Sequence, residues 1–502
     1  MSNPVSHSVS NPGQEAFMSW TDRPLTVLGL SLSGTAVAEY ALSKGARVFL
    51  SEMLPATPTN QPIRDRLQDL GCQVETGGHS GAVYTHATQV VVSPGIPPSS
   101  QVIRQLLMSG VEVISEVELA YRENRQQAEP AALIGITGTN GKTTTTTLLA
   151  QMLSDAEQHA MACGNIGLPL ISCLLAHQEQ AESQPPVWVA EFSSYQLAFS
   201  PTLTADIAIF MNLTPDHLSW HGSYQAYQDA KSSLFIGERS PQWVVLNAHD
   251  PVSHEIAAHT RAEVVWFSLQ TPGAAHDIPS NAAHWIRLDA NGEIRFALEK
   301  CQLPEQTLMN VCELQLLGAH NIDNVMAAAA AALLRGVAPE QIAQTCQQFR
   351  GVAHRLEHVA TVTRRDGVPI AFYNDSKATN TQACMSALRA FGEQSVILLA
   401  GGREKGEPLE PWAEAVKASA STVIVYGEAA EHFQEVLVAG GLESVYRVDS
   451  LETATEKAFE LSTGQPVLLS PACASFDQYK NFEERGRVFT ELVYNIKERS
   501  DV

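Results

Sequence analysis

The run ITGTNGKTTTT, Ile136 to Thr146, constrains this chain more than any other stretch. The apolar segment Ala131 to Gly135 reads as a strand entering it, and Leu148 to Leu153 reads as a helix leaving it. Strand, Gly-rich loop, Lys-Thr pair and helix together make a phosphate cradle. Glycines let backbone N–H groups turn inward, and the helix N-terminus adds positive potential. The lysine reaches terminal phosphates, and the threonine hydroxyl can ligate Mg2+. The candidate phosphate-binding residues are Gly138, Thr139, Asn140, Gly141, Lys142, Thr143 and Thr144. The standard spacing wants Gly at 136, where Ile136 stands, so an ordinary Gly/Thr turn is the bland alternative.

With 502 residues the chain exceeds one core, and two to four domains are expected. A polar leader, 1–20, precedes three α/β blocks, 21–116, 117–351 and 352–502. In the first block, Leu25 to Glu52 reads as strand, Gly-rich turn, helix, strand, and Gln89 to Pro98 supplies a further strand. The second holds the phosphate loop, apolar strands at Val187 to Phe192, Ala205 to Leu213 and Trp243 to Asp250, and an Ala-rich helix at Asn324 to Leu334. Residues 265–310 are turn-rich, with short β-like pieces and no assignable chemistry. In the third block four strand-like segments alternate with helical patterns. Alternating strands and helices imply open parallel sheets with ligand sites at the strand C-termini.

Bulk properties exclude several classes. A net charge of −22 argues against nonspecific binding to nucleic acid or anionic membranes. Local Lys, Arg and Mg2+ can still hold a nucleotide, because distant surface charge is screened beyond about 8 Å. No apolar run approaches the roughly 20 residues needed to span a membrane, and the N-terminus lacks a secretory h-region. The 8 cysteines are scattered without a CxxC pair, as in a reducing cytoplasm.

Other strand ends carry chemistry. GLSLSG, Gly29 to Gly34, has Ser31 where a dinucleotide fingerprint needs its middle Gly; this disfavours NAD and leaves a sugar nucleotide or a plain turn open. Glu191 closes an apolar strand, where a Mg2+ ligand belongs, although a capping Glu is the alternative. SSYQL then offers Gln196 as an amide contact, and NLTPDHLSWHG offers Asp216, His217 and His221. Lys231 falls on the apolar stripe of its helix, with Tyr224, Tyr227, Leu234 and Phe235. Either it snorkels, or its pKa is lowered and it reacts or is modified. NDSKATN (374–380), GGREKG (401–406) and LSPACASFDQYKNFEERG (469–486) place lysines, hydroxyls and Phe482 at one further sheet edge.

Taken in order, GITGTNGKT, GNIG, AEFSSYQL, NLTPDH, the Lys231 helix, GAHNIDN, GVAHRLE, NDSKATN, GGREKG and LSPACASFDQ resemble the Mur ligases. These are ATP-dependent amino-acid ligases of peptidoglycan synthesis. GLSLSG with SPGIP, and SPACASFDQ, resemble the D-glutamate-adding branch. The resemblance covers the chain after about residue 24. It implies a Rossmann-like N-terminal domain for a UDP substrate, a central P-loop-type ATPase domain and a Rossmann-like C-terminal domain for the amino acid. It implies that ATP phosphorylates the carboxylate of UDP-N-acetylmuramoyl-L-alanine and that the D-glutamate amine attacks the acyl phosphate. By the same resemblance Lys142, His217, Lys231, Lys377 and Lys405 would be catalytic. Thr143 and Glu191 would hold one Mg2+, and His217 with a carbamylated Lys231 a second. Asn321, Asn324, Arg355 and Asp375 would contact ATP. Leu32, Ser33, Gly95, Asn165 and Gln196 would face the UDP substrate. Lys377, Thr379, Lys405, Ser475 and Phe482 would form the D-glutamate end. Leu50, Ser51 and Glu52 depart from the acidic-Thr-Arg run that the family commonly has near the uracil. A cytoplasmic monomer with hinges near 116 and 351 is expected. Another ligase of the superfamily, a P-loop switch protein and an NAD-linked oxidoreductase are the rival readings.

Overall fold

A computed structural model describes residues 20–500 except 23, 59, 86–87, 180–184, 238–239, 270–276 and 317. The expected leader, apart from its last residue, lies outside the described residues. The chain packs as two compact units. One is made of residues up to 140 with 158–264, the other of 141–157 with 265 onward. The expected α/β class is borne out in both.

In the first unit five parallel strands run in the order Gln73–Thr76, Arg47–Glu52, Pro24–Leu28, Gln89–Val92, Glu112–Ser115. Val27, Leu28, Leu50 and Val90 are fully buried; strands covered on both faces need such unbroken apolar runs. The strand order reverses beside Pro24–Leu28, so a crevice forms at its C-terminal end, where GLSLSG begins. Ser31 caps the following helix Leu32–Ser43 by accepting a hydrogen bond from Gly34 N. A Cβ on Gly34 would lie 2.1 Å from Gly29 O, so only glycine allows this close packing of turn and helix.

The same unit carries the parallel strands Ala160–Gly164, Val187–Glu191, Ala132–Thr137, Ile207–Phe210 and Trp243–Asn247, adjacent in that order. The phosphate loop leaves the central one of the five. Its flanking strands end in Glu191 and in the turn that carries Asn212.

In the second unit the helix Lys142–Asp155 packs on Ala319–Leu334. The six consecutive alanines Ala327 to Ala332 are all fully buried. The predicted Ala-rich helix is borne out, beginning five residues earlier than its alanine-rich stretch suggested. Residues 265–310, read as turn-rich with short β-like pieces, hold an antiparallel run of His284–Leu288, Glu293–Leu298 and Leu303–Asn310. The C-terminal block is a six-stranded sheet in the order Glu357–Thr363, Pro369–Asn374, Val467–Leu469, Val396–Gly401, Ala420–Tyr426, Val445–Arg447. All but the first strand are parallel. All eight cysteines are free thiols, six of them buried, so no disulfide framework holds this fold. No helix among the described residues is long and apolar enough to cross a membrane.

Candidate active site

The front half of the phosphate loop is strapped to the strand exit beside it. Thr139 N donates to Asn212 O at 2.9 Å and Asn140 N to Asn212 Oδ1 at 2.9 Å, while Asn212 Nδ2 donates back to Asn140 O at 3.2 Å. Thr139 Oγ1 lies 2.8 Å from the Tyr227 hydroxyl. Gly138 has φ +149, and a Cβ there would lie 2.8 Å from Met211 Cβ. Gly141, with φ +85, then turns the chain into a 14-residue helix that begins at Lys142. Thr143 is buried in the first turn, whereas Lys142 and Thr144 are half-buried. A glycine-permitted turn, a long helix N-terminus and a lysine at its first position fit a polyphosphate.

Lys231 does not snorkel. The residue is 2 % exposed. Its Nζ donates to Gly138 O at 2.7 Å and Thr137 Oγ1 at 3.3 Å, and lies 5.1 Å from the centre of the Tyr227 ring. The side chain therefore ends on the backbone of the phosphate loop. His217 takes a left-handed conformation, φ +53, and is exposed beside Asp216, with Nε2 3.3 Å from Oδ2. Tyr195 lies against it at 4.8 Å and against Trp220 at 4.5 Å. His221 hydrogen-bonds Ser194 Oγ at 2.9 Å and packs on Tyr227 at 5.3 Å. Burial, then the positive charges of His217 and Lys231, push its pKa down to about 4.

That depression has a measurable consequence. An unfolded histidine takes up its proton near pH 6.5, so between about 6.5 and 4 the unfolded chain binds more protons than the folded one. The contribution of His221 is complete above pH 6.5 and is lost as the pH falls toward 4. The His221 imidazole resonance should stay neutral well below pH 6, and the urea midpoint should fall less steeply with acid in His221→Gln. With Lys231 an ammonium, an imidazole titrating near 6.5 would refute this account of its surroundings.

Glu191 is 2 % exposed at its strand end. Asn165 holds it from the adjacent strand exit, donating Nδ2 to Glu191 Oε1 and N to Glu191 O, both at 2.8 Å. Gly164 permits this, since a Cβ there would lie 2.5 Å from Glu191 O. Gln196 is buried, and its Oε1 accepts from Ser193 N and Oγ, both 2.9 Å, in a capping box. Beyond the strand ends of the N-terminal sheet, Leu32 is 70 % exposed, Ser33 is half-buried, and Gly95 is exposed with open space around it. Ser31 Oγ bonds Ser93 Oγ at 2.8 Å, filling the place where a fingerprint glycine would bare its backbone. Glu52 accepts from Leu30 N at 2.7 Å and Leu54 N at 2.8 Å.

In the second unit Asn321 and Asn324 are buried and bonded to one another at 2.9 Å, and Thr145 Oγ1 lies 3.4 Å from Asn324 Oδ1. Arg355 is exposed, close enough to Asp375 for its charge to be felt there. Asp375 is buried, accepting from Ser470 Oγ at 2.8 Å and Leu356 N at 3.3 Å, and burial raises its pKa to about 7. Lys405 Nζ donates to Thr379 Oγ1 at 3.2 Å, and Lys377 Nζ lies 5.5 Å from the Phe482 ring centre. Ser475 is buried in the turn between them and the last helix. Sequence reasoning gave no role to Asn212, Tyr195 or Arg485. Asn212 alone had a signal, its place at an apolar strand's exit.

The description "Mur ligase MurD-like, N-terminal domain" matches residues 23–115, "Mur ligase middle domain" 136–332, and "Mur ligase, glutamate ligase domain" 354–473. The chain is 38% identical over 95% of its length to the UDP-N-acetylmuramoylalanine--D-glutamate ligase of Geobacillus kaustophilus, 98% of which is covered. It is 37% identical over 94% to the ligase of the same name from Koribacter versatilis, with 97% covered. In fold it is similar to UDP-N-acetylmuramate-alanine ligase MurC of Thermotoga maritima, with TM-score 0.52, 19% identity, and 94% and 99% of the two chains covered. A phosphate loop strapped by a strand exit, a clamped strand-end glutamate and end-to-end likeness to these ligases converge, and the chain belongs to the Mur ligase family of ATP-dependent, amide-bond-forming enzymes.

Proposed function

We propose that this chain joins D-glutamate to UDP-N-acetylmuramoyl-L-alanine, consuming ATP, as a cytoplasmic monomer in peptidoglycan precursor synthesis. End-to-end likeness to ligases of that name carries the reading. In it, residues 21–116 receive the UDP substrate, 117–351 the ATP and 352–502 the amino acid.

The substrate carboxylate attacks the γ-phosphorus of ATP, and ADP leaves. The D-glutamate amine adds to the acyl phosphate carbon and loses a proton, and phosphate departs as the amide forms. Both steps bring anions together, so positioned positive charge lowers both barriers. Lys142, Thr143 and Thr144 at the helix N-terminus hold the phosphates, and Gly138, Thr139, Asn140 and Gly141 shape the loop around them, the Thr139 and Asn140 N–H groups being spent on Asn212. Asn321, Asn324, Arg355 and Asp375 serve the rest of ATP. Leu32, Ser33, Gly95, Asn165 and Gln196 receive the UDP substrate. Lys377, Thr379, Lys405, Ser475 and Phe482 receive D-glutamate.

Among the described residues no three His, Cys, Asp or Glu side chains form a metal site of their own. That suits magnesium, which takes one or two protein oxygens and completes its shell with phosphate and water. Thr143 and Glu191 are the oxygen donors for one ion, and His217 with Lys231 as its carbamate for a second. A carbamate keeps one N–H, which can preserve the bond to Gly138 O, and adds the negative oxygens a cation needs. Bound magnesium would neutralise charge on the phosphoryl group in flight.

Phosphate release from ATP should depend strictly on both UDP-N-acetylmuramoyl-L-alanine and D-glutamate. Turnover with L-glutamate alone, or with a folate acceptor, would overturn the assignment. Release with neither substrate would mark a nucleotide-hydrolysing switch.

A further inference from the structure

We infer that Arg485 is a positioning residue for the amino-acid end, holding in one geometry the three loops that carry the D-glutamate residues; this rests on the ligase reading above. Arg485 lies in the helix Phe482–Ser500 and is fully buried. In sequence it sits in FEERGR, which reads as a charged surface turn. Its guanidinium is spent on the loops themselves. Nε donates to Ser376 Oγ at 3.0 Å, and Nη2 donates to Ser376 O at 2.8 Å and Cys473 O at 3.1 Å. Nη1 donates to Cys473 O at 3.1 Å and reaches toward Gly401 O at 3.5 Å. None of these acceptors is a carboxylate.

Each anchor precedes a residue of the proposed D-glutamate end. Ser376 comes just before Lys377, Gly401 opens the loop to Lys405, and Cys473 lies two residues before Ser475. Phe482 stands one turn before Arg485 on its own helix, and Ser376 Oγ donates to Phe482 O at 2.8 Å. The second and third loops are also tied to each other, since Arg403 N donates to Ala474 O at 2.8 Å and Ala474 N to Arg403 O at 3.0 Å. Gly402 leaves room for the guanidinium: a Cβ there would lie 3.2 Å from Nη1 and 2.3 Å from Ala474 O. A planar fork with five donors can serve three strand exits at once, and a lysine ammonium cannot. Buried charge is costly, so a guanidinium spent on loop carbonyls is better explained by the geometry it imposes than by net stability.

Arg485→Lys tests this. Two rates are measured: amide formation as a function of D-glutamate, and acyl-phosphate formation without D-glutamate, trapped by hydroxylamine as the hydroxamate. In the folded variant the KM for D-glutamate should rise about tenfold or more, because misplacement of binding groups by an ångström is costly. The hydroxamate rate at saturating ATP should stay within about twofold of the parent, because acyl-phosphate formation precedes capture of D-glutamate. Should Arg485→Lys fail to fold, Ser376→Ala removes one acceptor and should give the same split at about threefold. An unchanged KM for D-glutamate in a folded variant, or an equal fall in both rates, overturns the inference. Failure of the unaltered protein to use D-glutamate overturns the ligase reading instead.

Discussion

Replacing Lys142 with alanine should reduce turnover by about a thousandfold or more while leaving the protein folded. One preorganised donor aimed at developing charge is typically worth about 10²–10³ in rate, and a cation on a phosphoryl group in flight about 10³–10⁵. In the proposed reaction Lys142 would be both, since it adds a full charge at the first position of a 14-residue helix. Its side chain is half-buried, and the hydrogen bond from Thr146 Oγ1 goes to its backbone carbonyl, so truncation removes neither a core contact nor that bond. Circular dichroism and the thermal midpoint should therefore stay close to those of the parent. The decisive measurement is phosphate release at saturating substrates. A loss of less than about tenfold would mean that the loop does not bear the transferring charge.

Lys231→Ala should be nearly inactive and should also be less stable. Nζ is buried and supplies a hydrogen bond to Gly138 O, the carbonyl at the floor of the phosphate loop. Removing it deletes that hydrogen bond, at a cost of about 1–3 kcal/mol, and opens a cavity beside the loop. Activity then separates two accounts of the lysine. If the missing group is a carbamate, formate or acetate should restore part of the turnover and methylamine should not. If it is an ammonium, the order reverses. The His221 imidazole gives a readout independent of turnover. The positive charge of Lys231 helps hold its pKa down to about 4, so carbon dioxide capture by Lys231 should raise it in the unaltered protein and not in Lys231→Ala. Rescue by methylamine alone would remove the carbamate from the mechanism.

What the sequence disclosed depended on how locally each feature is encoded. The phosphate loop was legible because strand, glycines, Lys-Thr and helix are contiguous. The face of Lys231 was legible because helical spacing sets it one turn after Tyr227, although the helix ends at Ser232, before Leu234 and Phe235. Its destination was not, because Gly138 lies in a loop 93 residues earlier and only tertiary packing brings the two together. The Asn165–Glu191 clamp was hidden for the same reason, needing the neighbouring parallel strands to end in register. Ser31 announced a departure from a dinucleotide turn, but its bond to Ser93 spans 62 residues. Arg485 was hidden, since an arginine among glutamates at a helix start has every local mark of a solvated residue. The antiparallel strands of 284–310 were short and poorly alternating, so composition spoke louder than period.

The helix behind the phosphate loop rests against Ala319–Leu334, whose middle is six buried alanines. Alanine has no side-chain torsion to immobilise, so packing on such a surface costs folding almost no rotamer entropy. It also offers no alternative rotamers through which the contact could relax. The platform behind Lys142 is set by main chain and methyl groups, and its rigidity is a geometric inheritance from the smallest chiral residue.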